Sequence, residues 1–410
     1  MRVLFVLSQR PELTGSGVTL DALAREAAAA GHQPHVLCGV PAGEPVPAVG
    51  GLPADRVRTV TFGEGGDLPF PVPGMSDVMP YPSTVWSAMT AAQLDDYRAT
   101  WRRALADAAA AVRPDLVHVN HLWLVASLAP AAVAPAPVVV HCHATGLRQM
   151  QLCPGLRDEV VSGLRRCAGV VTLHRGHARE VSRATGMAPE RIVEVGAGFR
   201  DDLFHHRDAA TPSARRGQVL YVGKYAAAKG LPWLIDACEA HWRAGSDLTL
   251  NIAGDGAGPE ADALRARLDA AGPRVRQHGR LGQPALADLM RRCAVLALPS
   301  FYEGLPLVLA EARACGCRLV ATALEGVTDR LAPMLGDDLT TIAPPRLVGP
   351  DTPDPDDLPA FTAALGRALA DALDAGPAPT RPDLLAPFTW AAVFARVEAF
   401  WQAAPSRPDQ

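Results

Sequence analysis

The sequence predicts an α/β protein made of two doubly wound, parallel-sheet domains facing a central cleft, and three observations predict it. A chain of 410 residues is too long for one ordinary core and suits two domains of ~200 residues each. Short apolar runs alternate with helical patterns, and the alternation starts afresh after a polar stretch at Arg207–Arg216 that contains Pro212 and Ser213. Hydrophobic residues make up 49% and charged residues 20%, the balance of a globular α/β chain rather than a disordered or membrane-spanning one.

The first strand series is expected at Arg2–Leu7, Gln33–Cys38, Leu116–Asn120, Val138–His141, Gly169–Leu173 and Ile192–Val195, with helices such as Thr19–Ala30 and Leu94–Ala111 between them. The opening apolar run has five residues and stops at polar Ser8, Gln9 and Arg10, which suits a buried strand better than a signal peptide. The second series starts at Val219–Tyr221 and continues through Leu248–Ile252, Val275–His278, Val295–Leu298 and Arg318–Ala321, with helices Leu231–Ala244 and Glu260–Ala271. Strands and helices in alternation form parallel sheets whose ligands bind beyond the carboxyl ends of the strands. Two segments interrupt the pattern. Gly63–Met89, with Phe70, Tyr81 and Trp86, reads as a long loop near the cleft, and Ala343–Leu358 as a solvated connector. A last helix, Trp390–Ala404, follows the start signal Pro387-Phe-Thr389 and carries Phe394, Val397, Phe400 and Trp401 on one face. The domains are therefore expected at 1–207 and 217–386, with 387–410 crossing back onto the first.

A formal net charge of −4 speaks against a nucleic-acid partner. No apolar run approaches the ~18 residues of a membrane span, so a cytoplasmic protein without stable membrane association is expected, as a monomer or homodimer. The eight cysteines are scattered through apolar segments. Cys315-Gly-Cys317 is their only close pair and nothing nearby completes a zinc site, so buried thiols and no metal are expected. Of 39 basic residues only Lys224 and Lys229 are lysines, five positions apart.

Those lysines lie in Val219-Leu-Tyr-Val-Gly-Lys-Tyr-Ala-Ala-Ala-Lys-Gly230, a loop between a buried strand and a helix. Cations there suit a diphosphate leaving group, whose charge grows as its bond breaks; two solvated surface lysines are the plainer reading. In Leu298-Pro-Ser-Phe-Tyr-Glu-Gly-Leu-Pro-Leu-Val-Leu-Ala-Glu-Ala312, Glu303 falls in a turn and Glu311 lies about 7–8 Å along the following helix. A nucleotide sugar spans a similar distance between hexose and ribose, so each carboxylate can serve one hydroxylated ring. The amides of Gly304 and Leu305 at that helix start favour phosphate or sugar oxygens. In the first half, Leu13-Thr-Gly-Ser-Gly17 offers Gly15 and Gly17 for close backbone approach, while Val117-His-Val-Asn-His-Leu-Trp123 and Val140-His-Cys-His-Ala-Thr-Gly146 bring histidines to strand ends.

These motifs, with Ile252-Ala-Gly-Asp-Gly256, resemble the retaining glycosyltransferases of family 4, which have the GT-B fold of two Rossmann-like domains; the resemblance runs from Arg2 to about Trp401. It implies a nucleotide-sugar donor, UDP-linked, bound in the second domain and an acceptor bound in the first, which the charge balance below makes a small polar one; no cofactor is expected. It implies that Glu303 contacts donor-sugar hydroxyls, Glu311 the ribose, Lys229 the diphosphate, and His143 the donor sugar. Catalysis would thus rest on His143, Lys229 and Glu303, and donor binding on Gly15, Gly17, Gly223, Lys224, Lys229, Gly254, Glu303, Gly304, Leu305 and Glu311. His121 and Trp123 are expected on the acceptor. The chain departs from the family at Lys224, where arginine is usual, and at Glu325-Gly-Val-Thr-Asp329, which replaces paired glycines. A dinucleotide-binding reading of Gly254-Asp-Gly256-Ala-Gly258 is weak, because Pro259 stands where its third glycine belongs. A GT-B epimerase or hydrolase, or a sugar-nucleotide-binding protein without transfer activity, remain the alternatives. Residues 1–150 hold 10 Arg and no Lys against 12 Asp plus Glu, which favours a soluble acceptor over a lipid one.

Overall fold

Runs that are apolar along their whole length become strands covered on both faces, as a parallel sheet between helix layers requires. The structure, a computed structural model, describes residues 1–11, 14–76, 79, 81–207, 209–349, 352–379 and 381–403; Leu13 and Ala404, named above, and Asp77, within the Gly63–Met89 segment, lie outside the described residues. The chain divides into two compact units, Met1–Ala197 with Trp390–Gln410, and Gly198–Thr389.

In the first unit β1 (Arg2–Leu7), β2 (Gln33–Pro41), β3 (Val57–Phe62), β4 (Leu116–Asn120), β5 (Val138–Cys142), β6 (Gly169–Thr172) and β7 (Ile192–Glu194) form one parallel sheet in the order β3-β2-β1-β4-β5-β6-β7. The order reverses between β1 and β4, so the loops after these two strands diverge and leave a crevice at their carboxyl ends. Leu7 pairs with Asn120, and Asn120 with His141, which brings the ends of β1, β4 and β5 level. The second unit repeats the plan with β8 (Gln218–Val222), β9 (Thr249–Ala253), β10 (Val275–Gln277), β11 (Val295–Leu298), β12 (Arg318–Thr322) and β13 (Leu339–Ile342), in the order β10-β9-β8-β11-β12-β13. Its reversal falls between β8 and β11.

Three expectations are corrected. Gly63–Met89 is not a loop presenting aromatic side chains. Phe70, Met75, Tyr81 and Trp86 are buried in the core of the first unit, where Trp86 meets Tyr97 and Trp123 edge-on at 5.1 and 5.7 Å. They cover apolar surface that the edge strand β3 and the helix Ala91–Val112 would otherwise expose. The unit boundary falls at Ala197/Gly198 rather than in the polar stretch, because residues 198–216 are tied to the second unit. Phe199 donates its N–H to the Phe388 carbonyl at 2.8 Å, and the buried Arg215 guanidinium reaches the Cys293 carbonyl at 2.8 Å. The first helix starts at Gly15, not Thr19, with Thr14 as its cap.

The last helix, Trp390–Ala403, belongs to the first unit and buries Trp390, Val393, Phe394, Val397, Phe400 and Trp401. Trp401 donates its indole N–H to His118 Nδ1 at 3.0 Å and lies 5.7 Å from the Phe5 ring, while Glu398 Oε1 is 2.8 Å from His32 Nε2. Each large side chain contributes roughly 1.5–3 kcal/mol by leaving water. Truncation after Thr389 is therefore expected to destabilise the first unit, and Trp401→Ala to cost about 3–5 kcal/mol. Denaturant unfolding followed by probes in each unit checks this: a first unit of unchanged midpoint in the truncated chain would show the helix to be dispensable.

Candidate active site

The two loops at the reversal of the second sheet carry the residues that the sequence singled out. After β8 the chain runs through Gly223 and the exposed Lys224, whose carbonyl accepts the Tyr221 hydroxyl at 2.7 Å. A β-carbon at Gly254, whose φ is +145°, would lie 1.9 Å from the Gly223 carbonyl oxygen, so only glycine lets the ends of β8 and β9 approach this closely. Lys229 closes the loop. Its Nζ lies 2.7 Å from Glu303 Oε1 and donates to the Tyr302 carbonyl at 3.3 Å, which joins the loop after β8 to the loop after β11. Both side chains keep partial exposure, 28% and 20%. Gly304 and Leu305 follow in the turn ahead of the helix Leu307–Ala314, which begins one residue beyond Pro306.

Glu311 sits on that helix at 9% exposure, and among the described residues no hydrogen bond or ion pair engages its carboxylate. Burial pushes its pKa up to about 7. An acidic side chain held this way is costly to ionise and poised to accept hydrogen bonds from an incoming partner. Past β12, Val327–Leu331 forms a π-helical turn where the sequence showed a departure from the paired glycines.

At the reversal of the first sheet the picture is more polar than the sequence suggested. Gly15 and Gly17 are not in a free loop but in the first helical turn, and the Gly17 amide is taken up by the Thr14 hydroxyl at 3.1 Å. Gly17 serves close packing: a β-carbon there would lie 1.7 Å from the Pro11 carbonyl oxygen. Gln9, which sequence reasoning passed over, donates to Ser16 Oγ at 2.8 Å and accepts the Met75 amide at 3.3 Å, while Gln149 donates to the Met75 carbonyl at 3.3 Å. These two amides fasten the 63–89 segment to the strand ends. The only sequence signal was a polar residue just past an apolar strand.

His143, partly exposed beyond β5, has Nε2 at 2.9 Å from Asn120 Oδ1 and stacks on His141 at 4.4 Å. Burial, then the neighbouring His141, His121, His118 and His177, hold its pKa well below the usual imidazole range. Trp123 is not available to an acceptor: it is 2% exposed and packed against Trp86. His121 is buried as well, its Nδ1 3.1 Å from Thr145 Oγ1 and its pKa pushed down to about 3 by burial and His141. Both side chains support the site from below.

Residues 14–198 match the glycosyl transferase 4-like domain, and residues 216–371 match glycosyl transferases group 1. The chain is 28% identical over 311 residues to 2-deoxystreptamine N-acetyl-D-glucosaminyltransferase of Streptomyces fradiae, covering 70% of this chain and 68% of that one. It is also 28% identical over 337 residues to glycogen synthase of Mycobacterium tuberculosis, covering 80% and 79%. Anabaena HepE in complex with UDP and glucose superposes with a TM-score of 0.65 at 16% identity, covering 98% of this chain and 100% of that one. Two parallel α/β sheets with these matches define the GT-B fold of glycosyltransferases. The chain belongs to the family-4 glycosyltransferases.

The raised pKa of Glu311 makes stability depend on pH. Between the ordinary carboxyl value and about 7 the folded state holds the extra proton, so stability falls as pH rises through that window and the full cost stands above it. Glu311→Gln is expected to be more stable than the parent at pH ~8, by up to about 3 kcal/mol, with the gap closing near pH ~4.5, while nucleotide-sugar affinity drops roughly tenfold. Unfolding curves at the two pH values decide: equal stability at both would mean that Glu311 titrates normally.

Proposed function

We propose that this glycosyltransferase moves a hexose or N-acetylhexosamine from a UDP-linked donor to a small polyhydroxylated acceptor, with retention of anomeric configuration. The observation that carries the proposal is the joining of Lys229 and Glu303 across the sheet reversal, with Glu311, which no hydrogen bond or ion pair engages among the described residues, on the helix that follows Glu303. In this reading Lys229 exchanges Glu303 for the donor diphosphate and stabilises the charge that grows on the leaving oxygen. Glu303, released, accepts sugar hydroxyls. Glu311 accepts the ribose hydroxyls, and the turn at Gly304 and Leu305 faces phosphate oxygens. His143 serves the donor sugar. As the bond from the anomeric carbon to the diphosphate breaks, the acceptor oxygen bonds to the same face and its proton passes to the departing phosphate oxygen.

The aminocyclitol named in the Streptomyces fradiae relative supports a soluble, polyhydroxylated acceptor, and so does the near balance of charge in residues 1–150. Eight free, buried cysteines suit a reducing cytoplasm. Lysine and helix N-termini neutralise the diphosphate in this reading, and no metal or cofactor takes part.

Heating the protein with a panel of nucleotide sugars tests the donor, since a bound ligand raises the melting temperature. Protection is expected from UDP-sugars and lost in Lys229→Ala, whose kcat should fall on the order of 10²–10³-fold. Unchanged turnover in that variant would remove the lysine from the site. Transfer to cyclitols and aminocyclitols, assayed beside lipid acceptors and liposome sedimentation, tests the acceptor; transfer to lipid alone with tight vesicle binding would overturn it. Activity is expected to persist in excess chelator, and loss restored by Mg²⁺ or Mn²⁺ would contradict a metal-free mechanism.

A further inference from the structure

We infer that Asn120 is a positioning residue that locks His143 in the Nε2–H tautomer, so that Nδ1 meets the donor sugar as a hydrogen-bond acceptor; this rests on the donor-side role proposed above for His143. Asn120 ends β4 and is 1% exposed. Its Nδ2 lies 3.2 Å from the Val6 carbonyl oxygen on β1. A carbonyl can only accept, so the NH₂ end of the amide must face Val6; turned over, two acceptor oxygens would meet in a buried place. The Asn120 oxygen therefore faces His143 Nε2 at 2.9 Å, and that nitrogen must carry the hydrogen. A neutral imidazole has one N–H, so Nδ1 keeps a lone pair.

A second anchor acts on the ring beneath. The Trp401 indole can only donate, so His118 Nδ1, 3.0 Å away, accepts and His118 Nε2 carries its hydrogen toward His141 Nδ1 at 3.3 Å. His141 is thereby fixed in orientation, and its ring supports the His143 ring at 4.4 Å with only 11° between their planes. The backbone is fixed as well. Ala144 has φ +66° and ψ −43°, and the Thr145 amide donates to the His143 carbonyl at 2.8 Å, a γ-turn that is rare and strained for a residue other than glycine. Burial first, and then the neighbouring His141, His121, His118 and His177, depress the proton affinity of His143, and no carboxylate is among the causes. A ring so held recognises a hydroxyl that can donate, and does not supply a proton.

The test is ¹⁵N-histidine spectroscopy of the full chain between about pH 5.5 and 8.5, with the His143 signals assigned by their loss in His143→Ala. The expected result is one neutral tautomer with hydrogen on Nε2 throughout. Hydrogen on Nδ1, two tautomers in exchange, or a protonation midpoint within about pH 6–7 would overturn the inference. Asn120→Asp places an acceptor against the Val6 carbonyl and draws a second proton onto His143. Its His143 should titrate within the measured range, with kcat/KM for the donor down roughly tenfold and the acceptor KM little changed. Should that variant fail to fold, the parent spectrum still decides the tautomer. If the tautomer is as expected but His143→Ala transfers sugar at the parent rate, the donor-side role of His143 fails, and the function assigned to Asn120 fails with it.

Discussion

The reversal of strand order within each sheet is the constraint on which the rest of the structure depends. Parallel strands joined by right-handed crossovers send neighbouring loops to the same face, and only where the order reverses do two loops part and leave room for a ligand. Between β8 and β11 that room is edged by Lys229 and Glu303; between β1 and β4 it is edged by Gln9 and Asn120. The short, apolar strands beneath supply the core, whereas the residues at their carboxyl ends and in the loops beyond carry the polar groups. Tight backbone contacts at Gly17 and Gly254 hold these loops close to the sheets.

The two units use opposite electrostatics. The second keeps a cation beside one carboxylate and buries another that has no partner among the described residues, an arrangement that costs stability when nothing is bound. The first unit assembles histidines that burial keeps neutral, and it orders them through donors and acceptors whose direction is fixed by chemistry: a backbone carbonyl at Val6 and an indole at Trp401. The C-terminal helix thus does more than add apolar contact, because its tryptophan reaches the histidine ladder.

What could be read from the sequence follows from what kind of signal each feature leaves. Strands buried on both faces, such as Arg2–Leu7, Leu116–Asn120 and Val295–Leu298, are continuous apolar runs and were legible to the residue. The edge strands Val57–Phe62 and Leu339–Ile342 are half exposed, interrupted by Arg58 or threonines, and left no such run. Lys229 and Glu303 stand out in the sequence because charged residues beside glycine in loops past strand ends have few structural reasons to be there, and Glu311 because it follows Glu303 on the next helix. Trp86 and Trp123 were misjudged, since an aromatic side chain in a loop or just past a strand looks the same whether it meets a ligand or a core. Gln9, Asn120 and Gln149 were passed over because a single amide carries no pattern; their roles exist only once β1, β4 and the helix Thr145–Leu152 stand side by side.

The central claim, proposed above, is that the second unit binds a nucleotide sugar through Glu311, whose pKa burial pushes up to about 7. Calorimetric titration of a UDP-sugar at pH ~7, repeated in buffers of different ionisation enthalpy, measures the protons exchanged. A Glu311 that must ionise to accept ribose hydroxyls should release a fraction of a proton per donor bound, larger at lower pH, and Glu311→Gln should release none. Donor binding with no proton release in the parent protein, or with the same release in the variant, would contradict it.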